Sequence, residues 1–241
     1  MTAAELGFGQ MTEEEVAKKF LIIGMISKTG FAHVPTFYSI CLAALSMGKL
    51  PIFFISNKGS TSDGDNAYNI ARNDVLAQIR NSFPKAKMVK IFWLDDDNIL
   101  FDSNEVIEMC KVADANDWNI SAPYHLLHAK GSIGQDLEGS IFYNVWRRAT
   151  PEEMEKNGSK RWITYTYAQL EQLAKEQNTD YPVVDGAGLG SCYIKMPVDY
   201  VFHFDSVQGE DFWLWDDVYK DKMQLRVAWK MKTGHWKSLP I

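Results

Sequence analysis

The stretch Met88-Val89-Lys90-Ile91-Phe92-Trp93-Leu94-Asp95-Asp96-Asp97 decides how this chain reads. Met88 to Leu94 is an apolar run of strand length, the pattern of a strand covered on both faces, and three carboxylates follow it without a spacer. Adjacent carboxylates repel one another, and a buried strand end is a costly place for them unless a cation compensates. Side chains alternate along a strand, so Asp95 and Asp97 share a side and can share one hard cation, while Asp96 faces elsewhere. The plainer alternative is that Asp97 or Asn98 caps the next segment and the other carboxylates are solvated. Ligands of open α/β sheets bind at the carboxyl ends of strands, which is where this run sits.

The segments around it alternate between strand and helix. Thr12-Glu13-Glu14-Glu15 has capping-box spacing and starts a short helix, which runs into the apolar strand Phe20 to Ile26. Pro35 and Gly48 bracket a helix with Phe37, Ile40, Cys41, Ala44 and Leu45 at helical spacing, and Leu50 to Ile55 gives a second buried strand. That βαβ order implies a parallel pair with a right-handed crossover. A polar loop from Ser56 to Asp65 precedes a helix over Asn66 to Phe83, ended by Pro84, whose buried positions read as Ile70, Val75, Leu76 and Ile79. Ser103 opens another helix, with Val106, Ile107, Cys110 and Val112 apolar, and Ile120 to Pro123 is a short strand. Farther on, Ser140 to Trp146 reads as a strand, Thr150 to Arg161 as a polar and charged stretch, Thr166 to Gln177 as a helix and Ser191 to Met196 as an apolar segment.

At 241 residues the chain suits one α/β domain, with a soft boundary near Tyr124 dividing about 18–123 from about 124–241. Its 46% hydrophobic and 13% aromatic content is enough to fill a core, which excludes a disordered chain. A net charge of -6 argues against nucleic acid as a partner, since phosphates call for an Arg/Lys excess. A phosphorylated small molecule stays open, because a metal ion can supply the missing positive charge. Cys41, Cys110 and Cys192 are widely spaced among apolar neighbours and read as reduced core thiols. No run reaches bilayer-spanning length, and the first residues lack signal-peptide character, so a cytoplasmic protein without a transmembrane segment is expected.

Three further features bear on chemistry. Glu210 and Asp211 precede the aromatic stretch Phe212-Trp213-Leu214-Trp215; they suit either a helix N-terminus or a base that takes a proton from an attacking hydroxyl. Trp213, Trp215 and Tyr124 suit either an apolar platform for a sugar or the core. His235 lies beside a glycine, as either a ligand or an ordinary histidine. Gly186, Gly188 and Gly190 are not a dinucleotide fingerprint, because a strand-like segment rather than a helix follows them; close backbone approach to a ligand or a tight turn fits better.

In this order the motifs resemble the GT-A superfamily of glycosyltransferases. Ile91 to Asp97 looks like its DxD strand, Val184 to Gly190 like its glycine loop, Gly209-Glu210-Asp211 like its xED motif and His235 like its C-terminal metal-binding histidine. Ile70-Ala71-Arg72-Asn73 resembles, more loosely, the helix that brings an arginine to the donor diphosphate. The resemblance spans about Phe20 to Lys237. It implies a Rossmann-like three-layer α/β/α sandwich with a mostly parallel central sheet. It also implies transfer of a sugar from a nucleotide-sugar, UDP-sugar favoured, to a carbohydrate or glycoconjugate acceptor. Mn²⁺ or Mg²⁺ is then held by Asp95, Asp97 and His235. Ser27, Asn57, Arg72, Asp95, Asp96, Gly188 and Lys237 line the donor site, and Asp211 with Glu210 supplies the catalytic carboxylates. Two departures stand out: Ser56-Asn57 replaces the usual base-binding aspartate, and the first strand ends in Ser27-Lys28-Thr29-Gly30. A sugar-phosphate nucleotidyltransferase and a non-catalytic carbohydrate-binding protein of the same fold are the alternatives.

Overall fold

The computed structural model describes residues 7–27, 34–58, 66–96, 98–100, 102–124, 142–158, 160–203, 210–216, 224–231 and 233–235. Thr12 closes the expected capping box with Glu15 and starts helix α1 (Glu13–Lys19), which passes directly into β1 (Phe20–Ile26). Helix α2 (Val34–Ser46) ends before Gly48, whose φ of 67° is the left-handed conformation that glycine adopts freely. Strand β2 (Leu50–Ser56), helix α3 (Asn66–Ser82) and strand β3 (Met88–Asp95) complete the first half. After β4 (Asn98–Leu100) and α4 (Ser103–Ala115), β5 (Asn119–Ser121) returns to the main sheet.

The later elements are shorter. They are β6 (Phe142–Arg148), α5 (Pro151–Lys156), β7 (Trp162–Thr166), α6 (Tyr167–Glu176), β8 (Val183–Val184) and β9 (Gly186–Ala187). Strand β10 (Ser191–Pro197), helix α7 (Glu210–Leu214), β11 (Leu225–Val227) and β12 (Thr233–His235) follow. The stretch read only as polar and charged thus contains α5. Its signal was present in Thr150 and Glu153, which form a second capping box with Pro151 in the first turn.

The main sheet has seven strands in the order β2-β1-β3-β10-β5-β11-β8. The pairings β1–β2, β1–β3 and β5–β11 are parallel, whereas β10 and β8 run against their neighbours. Five strands therefore point one way, in a mixed sheet. Alternation along β1 and β3 feeds two cores: Ile22, Ile91 and Trp93 pack with α1 and α3 on one face, and Ile23, Phe92 and Leu94 pack with α2 and α4 on the other. These helices on both faces of a sheet form three layers.

Two sequence expectations are corrected. Strand β2 is an edge strand rather than a buried one, because among the described residues no strand lies beyond it, and Leu50 and Ile55 are exposed. An apolar run alone does not reveal whether a second neighbour exists. Ile70 is also exposed: at 3.6 residues per turn it lies about 160° round α3 from Arg72, opposite the face carrying Val75, Leu76 and Ile79.

Gly24 shows how tightly the first face is packed. A Cβ there would lie 2.8 Å from two carbons of the Trp93 indole and 3.1 Å from Val75. The ring is fixed by its Nε1–H, which donates to Met196 Sδ at 3.3 Å. Gly24→Ala is therefore expected to destabilise the fold by about 1–3 kcal/mol, the usual range for overpacking a core, as measured by urea denaturation. A second expectation concerns acid. Two hydrogen bonds from Arg147, at 2.6 and 2.7 Å, and one from the Thr150 backbone hold the Glu153 carboxyl down at about 2. Because the folded value lies below the ordinary 4.5, this contribution is present above pH 4.5 and is lost as pH falls toward 2. Carboxyl NMR titration should give Glu153 a midpoint near 2, moving up toward 4.5 in Arg147→Gln.

Candidate functional site at the carboxyl end of the sheet

The ends of β1, β2 and β3 come together with the start of β10. Asp95, the last residue of β3, is largely buried, and its N–H donates to the Gly190 carbonyl at 3.0 Å. Asp96 N–H donates to the Ile26 carbonyl at 3.0 Å, and Ser27 Oγ donates to Asp96 Oδ2 at 3.0 Å. Ser27 N–H in turn bonds the Ser56 carbonyl at 3.0 Å, which leaves Asn57 exposed at the mouth of β2. The neighbouring carboxylates thus go separate ways: Asp95 faces the glycine loop and Asp96 faces β1, as side-chain alternation requires.

Gly190 must be small. A Cβ there would fall on Asn98 Nδ2 and lie 2.9 Å from Asp95 Oδ2 and 3.1 Å from the Tyr124 ring. Gly188 is held the same way, its virtual Cβ 2.6 Å from Asn144 Nδ2 and 2.7 Å from the Tyr124 hydroxyl. Asn144 bridges the layers: its Oδ1 accepts from Tyr124 N–H at 2.7 Å, and its carbonyl accepts from Gly188 N–H at 2.8 Å. The close approach of the glycine run seen here is toward the side chains of Asn98, Tyr124 and Asn144, whereas the sequence pointed to a ligand or a tight turn.

Arg72 joins the two acidic motifs. Its guanidinium is 1% exposed, donates to Asp95 Oδ1 at 3.3 Å and lies 4.0 Å from Asp211 Oδ1. The Trp93 and Phe202 rings sit 5.3 and 6.0 Å from it. Asp211 Oδ2 accepts from Leu189 N–H at 3.3 Å, tying α7 to the glycine loop. Asn73 fixes the preceding segment through two hydrogen bonds with the Phe202 backbone, at 2.8 and 3.0 Å. Ser27, Arg72, Asp95, Asp96, Gly188 and Asp211 therefore lie around one end of the sheet. Buried so deeply, Arg72 is placed to hold carboxylates.

Strand β12 pairs with β4 so that His235 lies opposite Asn98, one residue past Asp97. Asp97 and Lys237 fall outside the described residues, and Glu210 and His235 are described in backbone alone. Trp215 belongs to the core, its Nε1–H donating to the Ala187 carbonyl at 2.6 Å, whereas Trp213 is half-buried and suits the platform role better.

Among the described residues no three His, Cys, Asp or Glu side chains form a metal-holding group. The Asp95 carboxylate suits a hard cation; Asn98 turns its Nδ2 toward the glycine loop, donating to the Gly190 carbonyl at 2.9 Å, and its buried Oδ1 has no hydrogen-bond partner. The sequence reading passed over Asn98 as a ligand, and also Asn69 and Asn144. The two Asn69 side-chain polar atoms and Asn144 Nδ2 are likewise buried without partners. Lone amides in otherwise apolar stretches, such as Asn144 in Phe142-Tyr143-Asn144-Val145-Trp146, were the signal available. A cleft of about 700 Å³ opens at the opposite end of the sheet, but three of its four lysines, Lys49, Lys90 and Lys195, face the carboxylates of Asp114 and Asp117.

No protein-family model matches the chain, and no curated protein matches its sequence. Arg72→Met should leave two carboxylates without their buried cation and destabilise the protein by about 3–5 kcal/mol, seen as a lower urea midpoint; Asp211→Asn should cost clearly less.

Proposed function

We propose that this protein is a GT-A-type glycosyltransferase that moves a sugar from a nucleoside-diphosphate sugar to an acceptor hydroxyl. The observation supporting it most strongly is the meeting of Asp95, Asp211 and the Gly188–Gly190 backbone around Arg72 at the carboxyl end of the sheet. A divalent cation, Mn²⁺ or Mg²⁺, would be held by Asp95 and, from the sequence, Asp97 and His235; when bound it neutralises the diphosphate leaving group.

The protein's own groups supply the rest. Ser27 and Asn57 line the side where a nucleoside would sit, with Asn57 free to hydrogen-bond a uracil edge. Asp96, held by Ser27, faces the ribose side. Asp211 is fixed by Leu189 N–H, so its carboxylate stands ready beside the glycine loop. In an inverting transfer it accepts the proton of the attacking hydroxyl. Trp213 offers the acceptor sugar an apolar face.

Slow hydrolysis of nucleotide-sugars identifies a donor without knowledge of the acceptor. With Mn²⁺ present, one UDP-sugar of a panel of UDP-, GDP-, CDP- and ADP-sugars is expected to be hydrolysed, and chelation should stop it. Asp211→Asn should lower turnover about 10²–10⁴-fold, the usual contribution of a positioned base, with little change in nucleotide affinity. Release of pyrophosphate from a nucleoside triphosphate and a sugar phosphate, with no hydrolysis in the panel, would instead identify a nucleotidyltransferase.

A further inference from the structure

A helix that is apolar all round is normally buried. Helix α2 is of this kind but has one face uncovered. No residue from Val34 to Ser46 is charged. Thr36, Ser39, Ile40, Ala43 and Ala44 face the core. On the opposite side Val34, Tyr38 and Leu45 are 77%, 60% and 61% exposed, with Cys41 half-buried among them. The spacing 34, 38, 41, 45 alternates four and three residues, as in a helix–helix seam, and places these side chains within about 60° of arc. The stripe continues through Phe37, which stacks on Phe53 at 4.2 Å, to Ile55 of β2, exposed on the same face of the sheet as Phe53.

We propose that α2 packs antiparallel against α2 of a second copy of this chain, across a two-fold axis passing between Tyr38 and Cys41. The seam is self-complementary about that point: Val34 meets Leu45 and Tyr38 meets Cys41, each smaller side chain opposite a larger one, as a two-fold interface requires. Val34, Phe37, Tyr38, Leu45 and Ile55 together expose on the order of 500 Å² a side, taking roughly 150–200 Å² for a full apolar side chain. That is more than half of the ~800 Å² per partner of a standard interface.

The charges nearby point away from a membrane. Lys49 and Lys58 are engaged by Asp114 and Asp74, and the chain's net charge is -6, so the patch has little to attract an anionic lipid surface. Sheet extension is also disfavoured. The Ser56 carbonyl faces β1, so Pro51, Phe53 and Ile55 present their backbone outward. There Pro51 has no N–H to give, and Gln78 Nε2 already occupies the Ile55 carbonyl at 3.1 Å. The contact is therefore made by the helix. It does not depend on the glycosyl-transfer reading.

Sedimentation equilibrium of the full chain at micromolar concentration should give twice the 27.5 kDa chain mass. Tyr38→Glu and Leu45→Glu change exposed positions, so both should fold, as circular dichroism would show, and each should raise the dissociation constant on the order of a hundredfold. A short bismaleimide should join two wild-type chains through Cys41 and fail with Cys41→Ser. A chain that stays at 27.5 kDa, or a dimer that survives both glutamate variants, would overturn the interface. A dimer lost in both variants but never cross-linked through Cys41 would overturn the antiparallel pairing.

Discussion

The buried guanidinium of Arg72 is the constraint on which the site depends. Burying a cation this deeply costs several kcal/mol unless it is paired and hydrogen-bonded, and here its pairing comes from segments far apart in sequence. Asp95 arrives on β3 and Asp211 on α7, while Trp93 and Phe202 give the guanidinium aromatic neighbours. Trp93 in turn lies where it does because Gly24 leaves space for its ring. A glycine in the first strand is thereby coupled to the placement of two carboxylates at the site.

The two ends of the sheet use charge differently. At the N-terminal end Asp114 accepts from Lys49 and from the Tyr193 hydroxyl, at 3.0 Å in the latter case, and Lys90 lies 3.4 Å away. Burial there pushes the Lys90 ammonium below its ordinary value, partly offset by Asp114 and Asp117. Those groups neutralise one another. At the carboxyl end Asp95 and Asp211 share one arginine, so acidic groups outnumber basic ones among these contacts. An excess of carboxylates under a glycine-lined backbone suits a cation carrying an anionic ligand.

Much of the fold was legible in local pattern. The capping box at Thr12, the apolar runs of β1 and β3, and the glycine after α2 all correspond to elements of the structure. What failed depended on neighbours that sequence does not reveal: whether β2 has a partner on both sides, and which way α3 turns Ile70. The site divides similarly. Asp95, Asp96 and Asp211 could be singled out because acidic clusters near apolar strands are conspicuous. Arg72 could be noted, but its burial between two carboxylates is a tertiary fact. Asn98 and Asn144 carry no periodic signal, and only their buried, unpartnered atoms set them apart.

The most direct test of a metal–diphosphate site built on Asp95 is electron paramagnetic resonance of Mn²⁺ titrated with the protein, with and without UDP. Binding of Mn²⁺ that tightens markedly when UDP is added, and that Asp95→Asn loses while keeping its fold, is the predicted result. Mn²⁺ binding that ignores every nucleoside diphosphate, or that is unchanged in Asp95→Asn, would contradict it.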